Sequence, residues 1–122
     1  MANRIAKIVS SGQSAGSAQY ISGDALGGLT ATGSTQATAL ALYADNNGFT
    51  TVAASTGAQL PAASPGDEVF VWNGGANALS VYGQTGENIG AGAANAAFSV
   101  AANKGCGFVK LTATLWAPNL SA

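Results

Sequence analysis

From residue 58 to residue 116 the chain is a succession of short apolar runs separated by glycine, asparagine and proline. DEVFVW (67–72), ALSVY (78–82), AAFSVAA (96–102) and CGFVKL (106–111) are each about strand length and bounded by turn residues, which predicts β-strands. In DEVFVW, Val69 and Val71 point to one face and Phe70 and Trp72 to the other. Apolar side chains on both faces predict a strand covered on both sides, by a second sheet or a neighbouring subunit. Leu79 and Val81 alternate with Ser80 and Tyr82, the pattern of a strand half turned to a polar surface. Phe98 and Val100 share a face ahead of a turn at AANKG. FVKLTATLWAP sets Val109, Leu111, Ala113 and Leu115 against Lys110, Thr112 and Thr114, as one long strand or as two short ones bent at 112–114.

Upstream the pattern weakens. TQATALALYA (35–44) reads as a strand, although alanine and leucine suit a helix as well. DNNG (45–48) is a turn signal and FTTVAA (49–54) is β-branched and aromatic, so these two segments predict a hairpin. A calcium loop at Asp45 and Asn47 would lack its later ligands and closing glutamate. Residues 1–34 hold isolated apolar anchors in a Gly, Ser and Ala background, too little to order the segment by its own burial. They read as an extended arm that orders on a neighbour, with a disordered leader or irregular strands on its own domain as the other reading. The expected fold is therefore all-β: a small single domain over 35–122, a β-sandwich or barrel-like module of short antiparallel strands. An irregular, extended N-terminal arm over 1–34 precedes it.

Charge changes the picture most. Only 7% of the 122 residues are charged, against about 25% in ordinary soluble proteins. Such a chain is expected to cover much of its surface with other protein, the alternative being a polar but uncharged Ser, Thr, Asn and Gly surface. The four cations, Arg4, Lys7, Lys104 and Lys110, are split between the two ends and net charge is −1, so nucleic acid is not an expected partner. No apolar stretch approaches the roughly 18 residues of a membrane span, and no secretory leader is legible, so folding in a cytoplasm is expected. The single cysteine, Cys106, reads as a buried packing residue.

The same inventory argues against an enzyme. There is no histidine, the commonest general base and metal ligand. Of five carboxylates, Asp67 and Glu68 are adjacent on a predicted strand and face opposite ways. The glycines at 90 and 92 are followed by Asn95, which breaks the dinucleotide fingerprint at its third position. No catalytic residue, metal ligand or cofactor is assigned.

GGLTATGSTQATAL (27–40), TTVAASTGAQLPAASPGDEVFVWNGGANALSVYGQTGENI (50–89) and AANAAFSVAANKGCGFVKL (93–111) together resemble small virion structural proteins of tailed bacteriophages. The similar members are head decoration, or cement, proteins. The resemblance implies a homotrimer on the capsid exterior that contacts the major capsid protein and holds neighbouring capsomers together. It carries no functional residue over individually. In such an assembly the expected shell contacts are in the arm, with Ile5, Ile8 and Val9 as apolar anchors and Arg4 and Lys7 as charge partners. Trp72, Tyr82 and Phe98 are candidates for the subunit core or the trimer interface. The alternatives are a tail or head-fibre component, or a carbohydrate-binding module that stacks sugars on Trp72, Trp116 or Tyr82.

Overall fold

The computed structural model describes residues 24–121. Ten strands form two sheets. The chain passes from one sheet to the other through its first half: β1 (Ala25–Thr30), β3 (Asn46–Thr51) and β5 (Glu68–Asn73) lie in the first sheet. Between them β2 (Leu40–Ala41), β4 (Gly57–Gln59) and β6 (Leu79–Tyr82) lie in the second. Within each sheet these strands are parallel: Ala25 lies beside Asn46, Asn46 beside Phe70, Leu40 beside Ala58 and Gly57 beside Ser80. The winding is that of a short β-solenoid with three rungs, each giving one strand to each sheet. The all-β expectation holds, but an antiparallel sandwich or barrel does not describe this half of the molecule.

The second half closes the coil. β8 (Phe98–Val100) runs antiparallel to β6, and β9 (Lys104–Lys110) antiparallel to β5. β10 (Leu115–Leu120) folds back on β9, and β7 (Asn88–Ile89) lies parallel to β10 at the far edge. The sheet orders are β1-β3-β5-β9-β10-β7 and β2-β4-β6-β8. Of the two readings of the last run, the bent one is right: 111–114 is the bend between β9 and β10.

Alternation decides which side chains fill the space between the sheets. Phe49, Val69, Val71, Cys106, Phe108 and Trp116 from the first sheet meet Ala58, Leu60, Leu79, Val81 and Val100 from the second side in one apolar cluster. Phe98 completes it, its ring edge-on to Phe108 at 5.8 Å between centroids. A buried asparagine replaces backbone partners at the end of β5. Asn73 Nδ2 donates to the carbonyls of Asn77 and Val100, both at 2.8 Å, and its Oδ1 accepts from Gly75 N at 3.0 Å. Val52 O in turn accepts from Asn77 Nδ2. Buried backbone groups left unpaired would each cost about 1–3 kcal/mol, so these amides hold the corners of the coil.

The structure revises several local expectations. The hairpin about residues 45–48 is absent: Asn46 to Gly48 are inside β3, and only Leu40 and Ala41 of the 35–44 segment are in a strand. The chain turns one step earlier, where Asn47 Nδ2 bonds Ala44 O and Phe70 O and so ties the corner to the next rung. Within the chain the second sheet covers one face of β5, burying Val69 and Val71, while Phe70 and Trp72 face outward, the side on which a neighbouring subunit is the expected cover. Lys110 points inward with Phe108 and Cys106, whereas Val109 is on the outer side. Residues 25–30, within the segment read as an arm, form β1.

Candidate functional site

Registry across the first sheet arranges its outer face in rows. Residues opposite each other on neighbouring strands share a face. One row runs Ala25, Asn46, Phe70, Gly107, Asn119 across β1, β3, β5, β9 and β10. The next runs through Gly48, Trp72 and Gly105, with Gly27 beside Gly48. Phe70 thus sits between Asn46 and Gly107, and Trp72 between Gly48 and Gly105.

The glycines explain how the rings lie. A Cβ at Gly105 would sit 2.7 Å from Phe70 Cζ and 3.3 Å from Trp72 Cε3. Both rings therefore lean over the bare backbone of β9. Only glycine permits that approach, since any side chain there would push the rings up. Phe70 remains 41% exposed and Trp72 42%. On their β3 side a shallow apolar cleft of about 230 Å³ runs between Leu26, Gly48, Phe70 and Trp72. Asn46 and Asn119 are exposed at either side of Phe70, and Glu68, two residues before it, is exposed on the same face.

A second feature is buried. Lys110, 1% exposed, forms an ion pair with Glu87. The Glu87 carboxylate also accepts from Trp116 Nε1 at 2.8 Å and from Gln84 N at 2.9 Å. Lys110 Nζ donates to Ala63 O at 3.4 Å and lies 5.1 Å from the Trp116 ring centroid. Burial pushes the Glu87 carboxyl up, but the hydrogen bonds from Lys110, Trp116 and Gln84 and the lysine charge outweigh it. The group is held below the ordinary glutamate value. With every carboxylate contact a donor and the lysine fully enclosed, the arrangement clamps β9, β10 and the turn before β7.

The expected shell contacts Arg4, Ile5, Lys7, Ile8 and Val9 lie outside the described residues. Trp72 is on the open outer face and not in the core. Tyr82 is half-buried, and its hydroxyl donates to Ser34 O at 3.3 Å. Phe98 belongs to the core margin. Trp116 is fully buried with its indole nitrogen engaged, so it offers no stacking surface. Phe70 was legible as the partner of Trp72 at i+2, while the Glu87–Lys110 pair left no local signal across 23 residues of sequence separation. No protein-family model, curated protein or solved structure matches this chain.

Proposed function

We propose that this chain is a head decoration protein of a tailed bacteriophage, which binds the capsid exterior as an oligomer, a homotrimer, and stabilises contacts between capsomers. The observation that carries the reading is the open end of the coil. Among the described residues β1 has a neighbour on one side alone, and so does β2. β1, Ala-Leu-Gly-Gly-Leu-Thr, contains no charge and no proline, two of the devices that keep an edge from pairing with another chain. The opposite end is closed by antiparallel strands. A module completed on one side by another chain is suited to assembly, and an overall charged content of 7% agrees with a surface that is covered in use. The resemblance of residues 27–116 to cement proteins supplies the shell as the surface.

The mechanism follows from linkage. A shell that expands as DNA is packaged exposes new contacts between capsomers. A protein that binds only the expanded lattice stabilises that state in proportion to its occupancy. In this reading Arg4, Ile5, Lys7, Ile8 and Val9 contact the major capsid protein, and no catalysis, cofactor, nucleic acid or membrane is involved. The chain folds in the host cytoplasm and ends on the virion.

Quantitative mass spectrometry of purified virions against the major capsid protein tests this. Hundreds of copies in fixed ratio to the shell are expected. A handful would transfer the chain to the tail or a head fibre, and absence would sink the virion reading. Deleting residues 2–12 should abolish binding to expanded shells while leaving the oligomer intact.

A further inference from the structure

We infer that the outer face of the first sheet, centred on Phe70 and Trp72, binds a neutral saccharide chain. The size of the apolar surface decides between occupants. Phenylalanine and tryptophan offer about 150–250 Å² each, so rings 41% and 42% exposed present roughly 120–210 Å² together. A stable protein contact needs about 800 Å² per partner, and on this face, whose other members are glycine, alanine, asparagine, Glu68 and the half-buried Leu26 and Val109, the exposed apolar surface is concentrated on the two rings. One or two sugar rings match it.

The geometry is equally specific. Both rings reach the bare backbone at Gly105, Phe70 through Cζ and Trp72 through Cε3, and about two-fifths of each residue stays open to solvent. The negative face of an aromatic ring attracts the weakly positive C–H groups of a pyranose. Alternate residues on a strand are about 7 Å apart, a spacing that successive rings of one oligosaccharide can bridge. Asn46 flanks Phe70 one strand away and Asn119 two strands away on the other side, where amides can both donate to and accept from hydroxyl groups. Asn46 Nδ2 is held by Asp24 O at 3.1 Å, which orients its side chain. The rows carry no cation, and Glu68 is exposed beside Phe70. An anionic sugar would therefore be repelled, which restricts the class to neutral saccharides.

Saccharide binding by this face requires no virion, so the purified full chain is the sample, and the outcome is separate from that of the shell experiments. The chain has two tryptophans, and Trp116 is fully buried, so an emission change on adding sugar reports Trp72. Cellohexaose, maltohexaose, chitohexaose and mannohexaose would be titrated by fluorescence and calorimetry up to millimolar concentration. At least one is expected to shift the emission and bind. Phe70→Ala and Trp72→Ala, both at exposed positions, should each weaken binding about tenfold, the loss of one stacking contact. Tyr43→Ala, at a residue 78% exposed away from the rows, should leave it unchanged. Failure of all four saccharides to bind would overturn the inference, as would binding that survives both aromatic substitutions. So would sedimentation showing an oligomer that Trp72→Ala converts to monomer, because the face would then belong to a second copy.

Discussion

Removing one member of the Glu87–Lys110 pair should cost far more than removing both. Lys110→Met leaves a carboxylate enclosed with only Trp116 Nε1 and Gln84 N as donors. Breaking a buried pair on one side costs about 3–5 kcal/mol, because the remaining charge is uncompensated. Glu87→Gln keeps an oxygen for Trp116 and Gln84 N but turns an amide donor toward the ammonium, so it should cost about 3 kcal/mol. In the double variant the methionine lies along the apolar path of the lysine stem and the glutamine retains its two donors. Its stability should come within about 1 kcal/mol of wild type, since apolar replacement of a buried pair is often neutral. The coupling worked from these figures is about 5–7 kcal/mol, above the roughly 0.5–3 kcal/mol usual for residues in contact. A domain of this size has about 5–15 kcal/mol of stability in all, so either single variant can fall close to unfolding, and rescue by the second substitution is the readout. Urea denaturation followed by far-ultraviolet circular dichroism measures all four proteins. Single losses below about 1 kcal/mol that simply add would refute the reasoning.

Acid should destabilise the fold through the same carboxylate. Its folded value lies below the unfolded one, so between the two the unfolded chain binds the extra proton. Stability is full above about pH 4.5 and is lost as pH falls through the folded value; urea midpoints should drop below that pH in wild type and much less in Glu87→Gln. Gly57→Ala should destabilise strongly, by about 2 kcal/mol or more, because its Cβ would meet the backbone oxygen of Ser80 at 2.5 Å. Gly105→Ala meets only half-exposed rings that can swing outward, so it should cost under about 1 kcal/mol while shifting Trp72 emission; equal losses for the two glycines by thermal melting would contradict this. Cys106 is buried, and burial pushes its thiol up, so it should resist iodoacetamide in the native protein and react on unfolding; prompt native labelling would show an open face.

The alternation of Val69 and Val71 with Phe70 and Trp72, and of Leu79 and Val81 with Ser80 and Tyr82, carried real information. Period-2 faces survive into the structure because the backbone alone imposes them. Which face is covered is a different matter. For β5 that depends on a second sheet on one side and nothing but glycine rows on the other, and glycine at 48 and 105 reads locally as turn or breaker. The 45–48 segment failed for the same reason. Asp-Asn-Asn-Gly scores as a turn, yet parallel pairing with β1 and β5 holds it extended. Parallel partners a whole rung away leave no signal in any short window. The alternation sets Lys110 opposite Val109 but does not say which face is inside, because a lysine almost never lies fully buried without a partner and its partner sits in a glycine-rich connection far upstream. Cys106 reads as a packing residue from its size and its glycine neighbours and lies in the core, while Phe98, a candidate for core or interface, packs at the core margin.

The two ends of the coil are built on opposite terms. At the far edge β7, β10 and β9 converge on one buried carboxylate with three donors, an arrangement that tolerates little displacement because each contact is needed to offset the cost of burying charge. At the near edge β1 bends at Gly28, φ +71°, where its register with β3 shifts. Its outer side is uncharged, and no described strand pairs there. A shape that is locked at one end and unpaired at the other can add a strand from a neighbour without disturbing its own core. The outer aromatic face lies across β5, between these ends, and shares residues with β1 only at the margin of the cleft. Assembly through the edge and ligand binding on the face therefore need not compete. In a trimer joined through β1 three such faces would remain available, and the multiplied contact would raise the avidity of a weak saccharide site without any new residue.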